Sequence, residues 1–167
     1  MSTDKLALVN AQMIELLGAV QGVKGVFRDR ADLPPQDKTP GILYLDSAEK
    51  IKTELAGGNF TAMPTAVFTI RPQIFLVLTL RTDADNTLLP DGTVLPVADE
   101  LQSFRVKMLS AIITDDTLTA LIGDNGSVVY EGYDTDMRSG DTMGSLGATM
   151  QLHLAISYVL DPSDLLN

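Results

Sequence analysis

The sequence predicts an α+β fold: a mostly antiparallel β-sheet with two main helices packed on one face, a long C-terminal strand and extended loops. Every even position from Leu146 to Leu160 is apolar, while the odd positions are smaller or more polar. That alternation predicts one long strand with a buried face and a wetter face. A strand of this length is expected to serve more than one packing partner. The other strand segments come in runs separated by helical segments, an order typical of α+β folds.

The chain begins with a predicted amphipathic helix over residues 3–20. Ser2 or Thr3 is expected to cap its start. Gly22 is expected to take a left-handed position at its end, as glycine does at many helix C-termini. The helix is predicted because apolar residues recur at helical spacing. These residues are Leu6, Val9, Met13, Leu16, Leu17 and Val20.

Four strand segments are predicted in the first half of the chain: residues 24–30, 41–46, 66–70 and 74–80. In the first segment, Phe27 points to one face. The other face carries three cations: Lys24, Arg28 and Arg30. The fourth segment is apolar on both faces, which predicts a central place in the sheet. The pair Arg71-Pro72 predicts a kink or a hairpin between the third and fourth segments.

The second half begins with a polar stretch at residues 82–96, which contains no basic residue and is expected to be a structureless loop or arm. The second helix is predicted over residues 97–113. Thr114 or Asp115 is expected to cap a short third helix over residues 118–122, which Gly123 stops. Three further segments follow: a strand at 127–133, a polar loop at 134–144 and the long strand at 146–160.

The charge of the chain is acidic and unevenly distributed. The net charge is -10, and residues 82–167 carry three Lys/Arg against fourteen Asp/Glu. Such a half-chain repels a phosphate backbone, so nucleic-acid binding through direct contact is not expected. Two interpretations stay open: a well-solvated acidic surface, or a surface that avoids sticking to a polyanion passing nearby.

Length and composition limit the class of protein. The 167 residues are expected to form one domain, residues 1–167. The chain has no cysteine, which fits assembly in a reducing cytoplasm and removes thiolate nucleophiles and ligands. No apolar run approaches the ~18 residues of a membrane span. The first residues show neither the basic nor the apolar region of a secretory signal.

No catalytic, cofactor or metal site is predicted, and the chain is expected not to be an enzyme. It contains no phosphate-binding GxxxxGK[ST] loop, and no GxGxxG follows a strand. His153 is the single histidine, and alone it fills none of the geometric roles that a catalytic site requires. The segment Asp134-Thr-Asp136-Met-Arg138 places a cation at the third ligand position of a calcium-loop pattern.

Several segments together resemble the tail terminator and related tail-completion proteins of long-tailed bacteriophages. The resemblance covers nearly the whole chain, from the N-terminal helix to the closing strand. It rests on patterned positions more than on a signature motif. The segments that carry it are Val26-Phe27-Arg28-Asp29-Arg30, Leu33-Pro34, the DxxLxxL pattern from Asp115 to Leu121, Val128-Val129-Tyr130 and Ile156-Ser157-Tyr158.

The resemblance implies a structural virion protein that forms a homo-oligomeric ring, generally a hexamer. Such a ring caps the tail tube, ends its polymerisation and joins the tail to the head–tail connector. The implied partners are further copies of the chain, the tail tube protein and a connector or neck protein. Double-stranded DNA passes through the lumen without specific binding, and no membrane is involved. The implied location is the tail or neck of the virion, assembled in the host cytoplasm.

Two sets of residues follow as candidates within that ring. Acids are expected to line or flank the channel, where they let DNA slide without binding: Asp83, Asp85, Asp91, Asp134, Asp136 and Asp141. Cations are expected at subunit or partner contacts, with solvated charges as the alternative: Lys24, Arg28 and Arg30. Other functions stay open as well: another neck, head-completion or tail-tube component, or a cellular interaction module.

Overall fold

The computed structural model describes residues 4–30, 34, 36–51, 66–79, 86–88, 94–138 and 147–160. The helices in these ranges are α1 (Lys5–Gly18), α2 (Val97–Ile113) and α3 (Asp116–Ile122), with one 3-10 turn at Gln36–Lys38. The strands are β1 (Val26–Arg28), β2 (Gly41–Leu45), β3 (Lys50–Ile51), β4 (Ala66–Ile70), β5 (Gln73–Thr79), β6 (Asn86–Leu88), β7 (Val94–Pro96), β8 (Ser127–Arg138) and β9 (Gly147–Leu160). The predicted α+β fold is confirmed.

β9 is the centre of a sheet to which seven of the described strands belong. β8 pairs with it on one side, and β4 and β5 pair with it on the other. β2 and β1 extend the sheet beyond β5, and β3 extends it beyond β4. Every pairing is antiparallel except that of β1 with β2. β9 therefore serves three pairing partners, as its length predicts.

β4 and β5 lie in line along the same edge of β9. Ile70 pairs with Ile156 and Gln73 with His153, so the register is the same on both sides of the break. The break at Arg71-Pro72 is therefore a local interruption of one extended segment, and the alternative of a hairpin is wrong. Proline has no N–H to donate to a ladder, which explains why pairing stops there. β5 lies between β2 and β9, which confirms its predicted central place.

The three helices pack on the face of the sheet that carries the even positions of β9. Those positions, from Ala148 to Tyr158, are all buried and belong to the same core cluster as the helices. Each fully buried Leu or Ile contributes about 1.5–3 kcal/mol through the apolar surface that it removes from water. The buried helix residues are Val9, Met13 and Leu17 of α1, Leu101, Phe104, Met108 and Ile112 of α2, and Leu118 and Ile122 of α3.

The helix boundaries lie within two residues of the prediction, and α1 is shorter than predicted at both ends. Asp4 caps α1, since its Oδ1 accepts a hydrogen bond of 3.0 Å from the N–H of Leu6. Ser2 and Thr3 lie outside the described residues. Gly22 has the expected positive φ of 96°, but α1 has already ended at Gly18. α2 has the predicted bounds, and Asp115 caps α3 through the N–H of Leu118 at 2.6 Å.

Two expected loops contain strands instead. β8 continues to Arg138, so the loop predicted from residue 134 is wrong over that range. Asp134 and Asp136 belong to the strand because β9 offers them ladder partners, and tertiary pairing overrides their low strand propensity. The stretch at residues 82–96 is not structureless throughout, because β6 and β7 pair with each other and contact α2.

A buried hydrogen bond joins α1 to the sheet. The hydroxyl of Tyr44 on β2 donates to Oδ1 of Asn10 on α1 at 2.6 Å, and both residues are buried. Burial raises the pKa of the Tyr44 phenol well above its usual range, so the hydroxyl stays a donor. An unpaired polar atom at this depth loses its contact with water without compensation. The pair therefore fixes how α1 sits on the sheet.

The variant Tyr44→Phe should lower the free energy of unfolding by about 1–3 kcal/mol, because it leaves the Asn10 oxygen buried without a donor. Urea denaturation measures the change. Tyr130→Phe serves as a control, since within the described residues the hydrogen bond of that hydroxyl is a long 3.4 Å contact with Arg105. Its effect should stay within about 0.5 kcal/mol. Equal stability of Tyr44→Phe and the wild type would contradict the assigned role.

Candidate functional site

The face of the sheet opposite the helices carries the odd positions of β9 and is called here the helix-free face. None of the helices in the described ranges packs on it, because their buried residues cluster with the even positions alone. Leu43 and Val77 form part of its apolar centre and are buried. Thr149, Gln151 and His153 follow β9 across it and are partly exposed. Two of the predicted channel acids lie on this face, the three predicted contact cations lie near one edge of the sheet, and a cationic cleft lies near another.

A β-bulge in β8 decides which residues reach this face. Tyr130 pairs with Leu154 and Gly132 with His153, so Glu131 is one extra residue without a counterpart on β9. The extra residue reverses the alternation of side chains. Tyr133 therefore points to the helices, where its hydroxyl accepts a hydrogen bond of 2.6 Å from Gln102 on α2. Without the bulge, the acids at 134 and 136 would point toward the core.

Asp134 and Asp136 consequently lie on the helix-free face, on the outermost described strand. Oδ2 of Asp134 lies 2.8 Å from Nε2 of His153, and the Asp134 side chain is 81% exposed. Asp136 is exposed on the same face. These are two of the six acids predicted to line or flank a channel. The other four lie outside the described residues: Asp83, Asp85, Asp91 and Asp141.

Pairing with β9 is interrupted on both of its sides at the same point along the strand. These two interruptions together are called here the crease. Arg71-Pro72 interrupts one neighbour of β9 and the bulge at Glu131 interrupts the other. Nε of Arg71 forms an ion pair of 2.8 Å with Oε1 of Glu131 across β9. The backbone N–H of Arg71 donates to Oγ of Ser47 at 2.8 Å. The crease therefore ties β8, β4 and the segment before β3 together by polar contacts.

A cationic cleft of about 260 Å³ lies beside the crease. The described residues that line it are Ser47, Ala48, Lys50, Thr69 and Arg71. Lys50 and Thr69 stand directly opposite each other on β3 and β4, and Thr69 shares a 2.9 Å hydrogen bond with Ser157. The sequence did not single out Lys50 or Arg71, because 20 residues separate them in the chain. Only the pairing of β3 with β4 brings them together.

The three predicted contact cations lie near the β1 edge but do not form one cluster. Arg28 donates two hydrogen bonds to Asp46, of 3.0 and 2.5 Å, and this pairing raises the pKa of the guanidinium. Arg30 lies over the ring of Phe27, 5.3 Å from its centroid. Lys24 is exposed. Arg28 is therefore paired within the chain although 43% of its side chain is exposed, and Lys24 and Arg30 also lie at the surface.

Gly132 carries the backbone conformation of the bulge. Its φ of 125° is one that side-chain-bearing residues rarely adopt, while the space around it is open. Gly132→Ala should lower the free energy of unfolding by about 1–3 kcal/mol through backbone strain alone. Gly18→Ala, at a helical position where a Cβ makes ordinary contact with Val26, should cause no such loss. Thermal unfolding of both variants distinguishes them, and equal melting temperatures would contradict the role given to Gly132.

Among the residues that the structure describes, no three His, Cys, Asp or Glu side chains lie close enough together to hold a metal ion. The same part of the chain contains no helix with the length and apolar character needed to cross a membrane. No protein-family model matches the sequence, and no curated protein is significantly similar to it.

Proposed function

We propose that this chain is a structural protein of a bacteriophage tail, of the tail terminator type. Copies of it form a ring, expected to be a hexamer, at the end of the tail tube. The ring ends tube polymerisation and joins the tail to the head connector. The proposal starts from the sequence resemblance described above, and one structural observation supports it best: all three described helices pack on one face of the sheet, while Asp134 and Asp136 are exposed on the other.

The two exposed acids on the helix-free face suit a subunit in which this part of the face borders a lumen. Asp134 and Asp136 lie on the helix-free face, and the bulge at Glu131 turns them away from the core. A lumen lined by carboxylates repels the phosphates of DNA, so the duplex slides past without binding. The net charge of -10 acts in the same direction.

The two edges of the sheet also suit head-to-tail assembly. Following the pairings from β8 through β9, β5 and β2 to β1, the two outermost strands run in opposite directions. Copies placed side by side therefore meet with antiparallel edges, which is a favourable geometry for strands. The β1 edge carries Lys24 and Arg30, two of the cations predicted at subunit contacts, and it is formed by different residues from the β8 edge that it meets. Unlike surfaces that meet in this way generate rings when the rotation closes.

Electron microscopy of phage tails assembled with and without the chain tests the proposal. Tails that lack it should be abnormally long, because nothing stops the addition of tube subunits. Tails that receive it should stop at normal length, with added density at one end. Incorporation along the whole tube would instead assign the chain to the tube itself. Absence of binding to tails would overturn the proposal and favour a cellular interaction module.

A charge reversal on the helix-free face tests the role of the acids. The variant Asp134→Lys/Asp136→Lys, assembled into virions, should slow DNA ejection severalfold, because the new ammonium groups hold passing phosphates. The variant Glu15→Lys/Asp37→Lys makes the same change in net charge at exposed positions outside this face and should eject DNA normally. Ejection is measured by the fluorescence of a dye that binds released DNA. Unchanged kinetics in the first variant would remove the acids from the channel.

A further inference from the structure

The cationic cleft beside the crease holds two cations, of which Arg71 is already paired with Glu131. The side-chain ammonium of Lys50 has no hydrogen bond or ion pair within the part of the chain that the structure describes. Arg71 contacts Glu131 through Nε, and its side chain is 59% exposed. Donors on the terminal nitrogens of the guanidinium therefore remain available.

The geometry of the cleft suits a single carboxylate. Lys50 stands opposite Thr69, and Arg71, one residue beyond the end of β4, lines the same cleft. Directly opposed and diagonal neighbours on a sheet are about 5 and 7–8 Å apart, so an anion can contact the ammonium and the guanidinium at once. Charge-assisted hydrogen bonds of this type are short and strong. A nucleic-acid phosphate is disfavoured as the ligand, because the acidic chain repels a polyanion.

The position of the cleft points to an acid on a neighbouring copy. One row of paired residues crosses the sheet from Lys50 on β3, through Thr69 and Ser157, to Ser127 at the start of β8. β3 and β8 lie at opposite edges of the described sheet, with two strands between them. A copy therefore cannot place the start of its own β8 against its own cleft. Side-by-side copies bring these two edges together.

Asp124 is the acid that side-by-side copies place near the cleft. It is exposed in the turn that leads into β8, three residues before Ser127. Lys50 on β3 and Asp124 before β8 lie at the same end of the described sheet, so side-by-side copies bring opposite charges near each other across the seam.

We propose that the cleft formed by Lys50 and Arg71 binds the Asp124 carboxylate of a second copy of this chain. The contact is heterologous and repeats around the ring, so this inference rests on the proposed function. It adds to that proposal a specific ion-pair contact at the seam between neighbouring subunits.

Charge reversal tests the contact by sedimentation velocity over a range of protein concentrations. Lys50→Glu and Asp124→Lys should each weaken self-association by at least about tenfold. The double variant Lys50→Glu/Asp124→Lys should recover most of the wild-type association, because the pair is restored with reversed signs. Lys38→Glu makes the same change in net charge as Lys50→Glu at an exposed position outside the cleft. It should remain within about twofold of the wild type.

Mixing Lys50→Ala with Asp124→Ala distinguishes a heterologous contact from a symmetric one. The Asp124→Ala chain keeps an intact cleft and the Lys50→Ala chain keeps an intact acid, and the two alanines cannot pair with each other. Together these chains should therefore form a one-to-one complex that grows no further. Circular dichroism of each variant verifies that it is folded.

Three results overturn the inference. In the first, the wild type associates and Lys50→Glu associates equally well, and the ring proposal is then untouched. In the second, Lys50→Glu and Lys38→Glu weaken association to the same extent, so the effect comes from the more negative net charge of the chain and not from the cleft. In the third, the wild type stays monomeric at every concentration. The proposed tail function is then decided separately, by whether the chain binds tail ends.

Discussion

The backbone ladder of β9 is the interaction on which the rest of the structure depends. Its residues pair with β8 on one side and with β4 and β5 on the other, so the strand joins segments that are far apart in the chain. Its even side chains form the floor on which α1, α2 and α3 pack. Its odd side chains form the middle of the helix-free face. A single strand thus sets the register of the sheet, the position of the core and the surface that the proposed lumen requires.

The bulge at Glu131 shows how one extra residue changes the chemistry of a surface. Because side chains alternate with a period of two, one inserted residue exchanges the faces of everything that follows in the strand. Tyr133 thereby gains α2 as a partner, with the guanidinium of Arg105 lying 4.9 Å from the centre of its ring. Asp134 gains His153 as a partner, on the side away from the helices. Asp134 and Asp136, which an uninterrupted alternation would turn toward the core, are therefore exposed.

Much of this fold could be predicted from periodicity and capping, and the exceptions have physical reasons. The bounds of α2 and the cap at Asp115 follow from local sequence signals. The cap of α1 does not, because Ser, Thr and Asp stand in a row at its start and all three are good caps. The bulge leaves a faint signal, a glycine at position 132 inside a strand pattern. The cationic cleft leaves none, because Lys50 and Arg71 meet only through long-range pairing.

The crease has a mechanical consequence. β9 passes through it without interruption, while its neighbours on both sides are broken at that level. Antiparallel hydrogen bonds lie perpendicular to the strands, so a force along β9 loads them in shear, and many must break together. A force that bends the sheet out of its plane about a line perpendicular to β9 meets less resistance at the crease, because the pairings on both sides of β9 are interrupted there. The sheet is thus built to be stiff along its central strand and compliant about one transverse line.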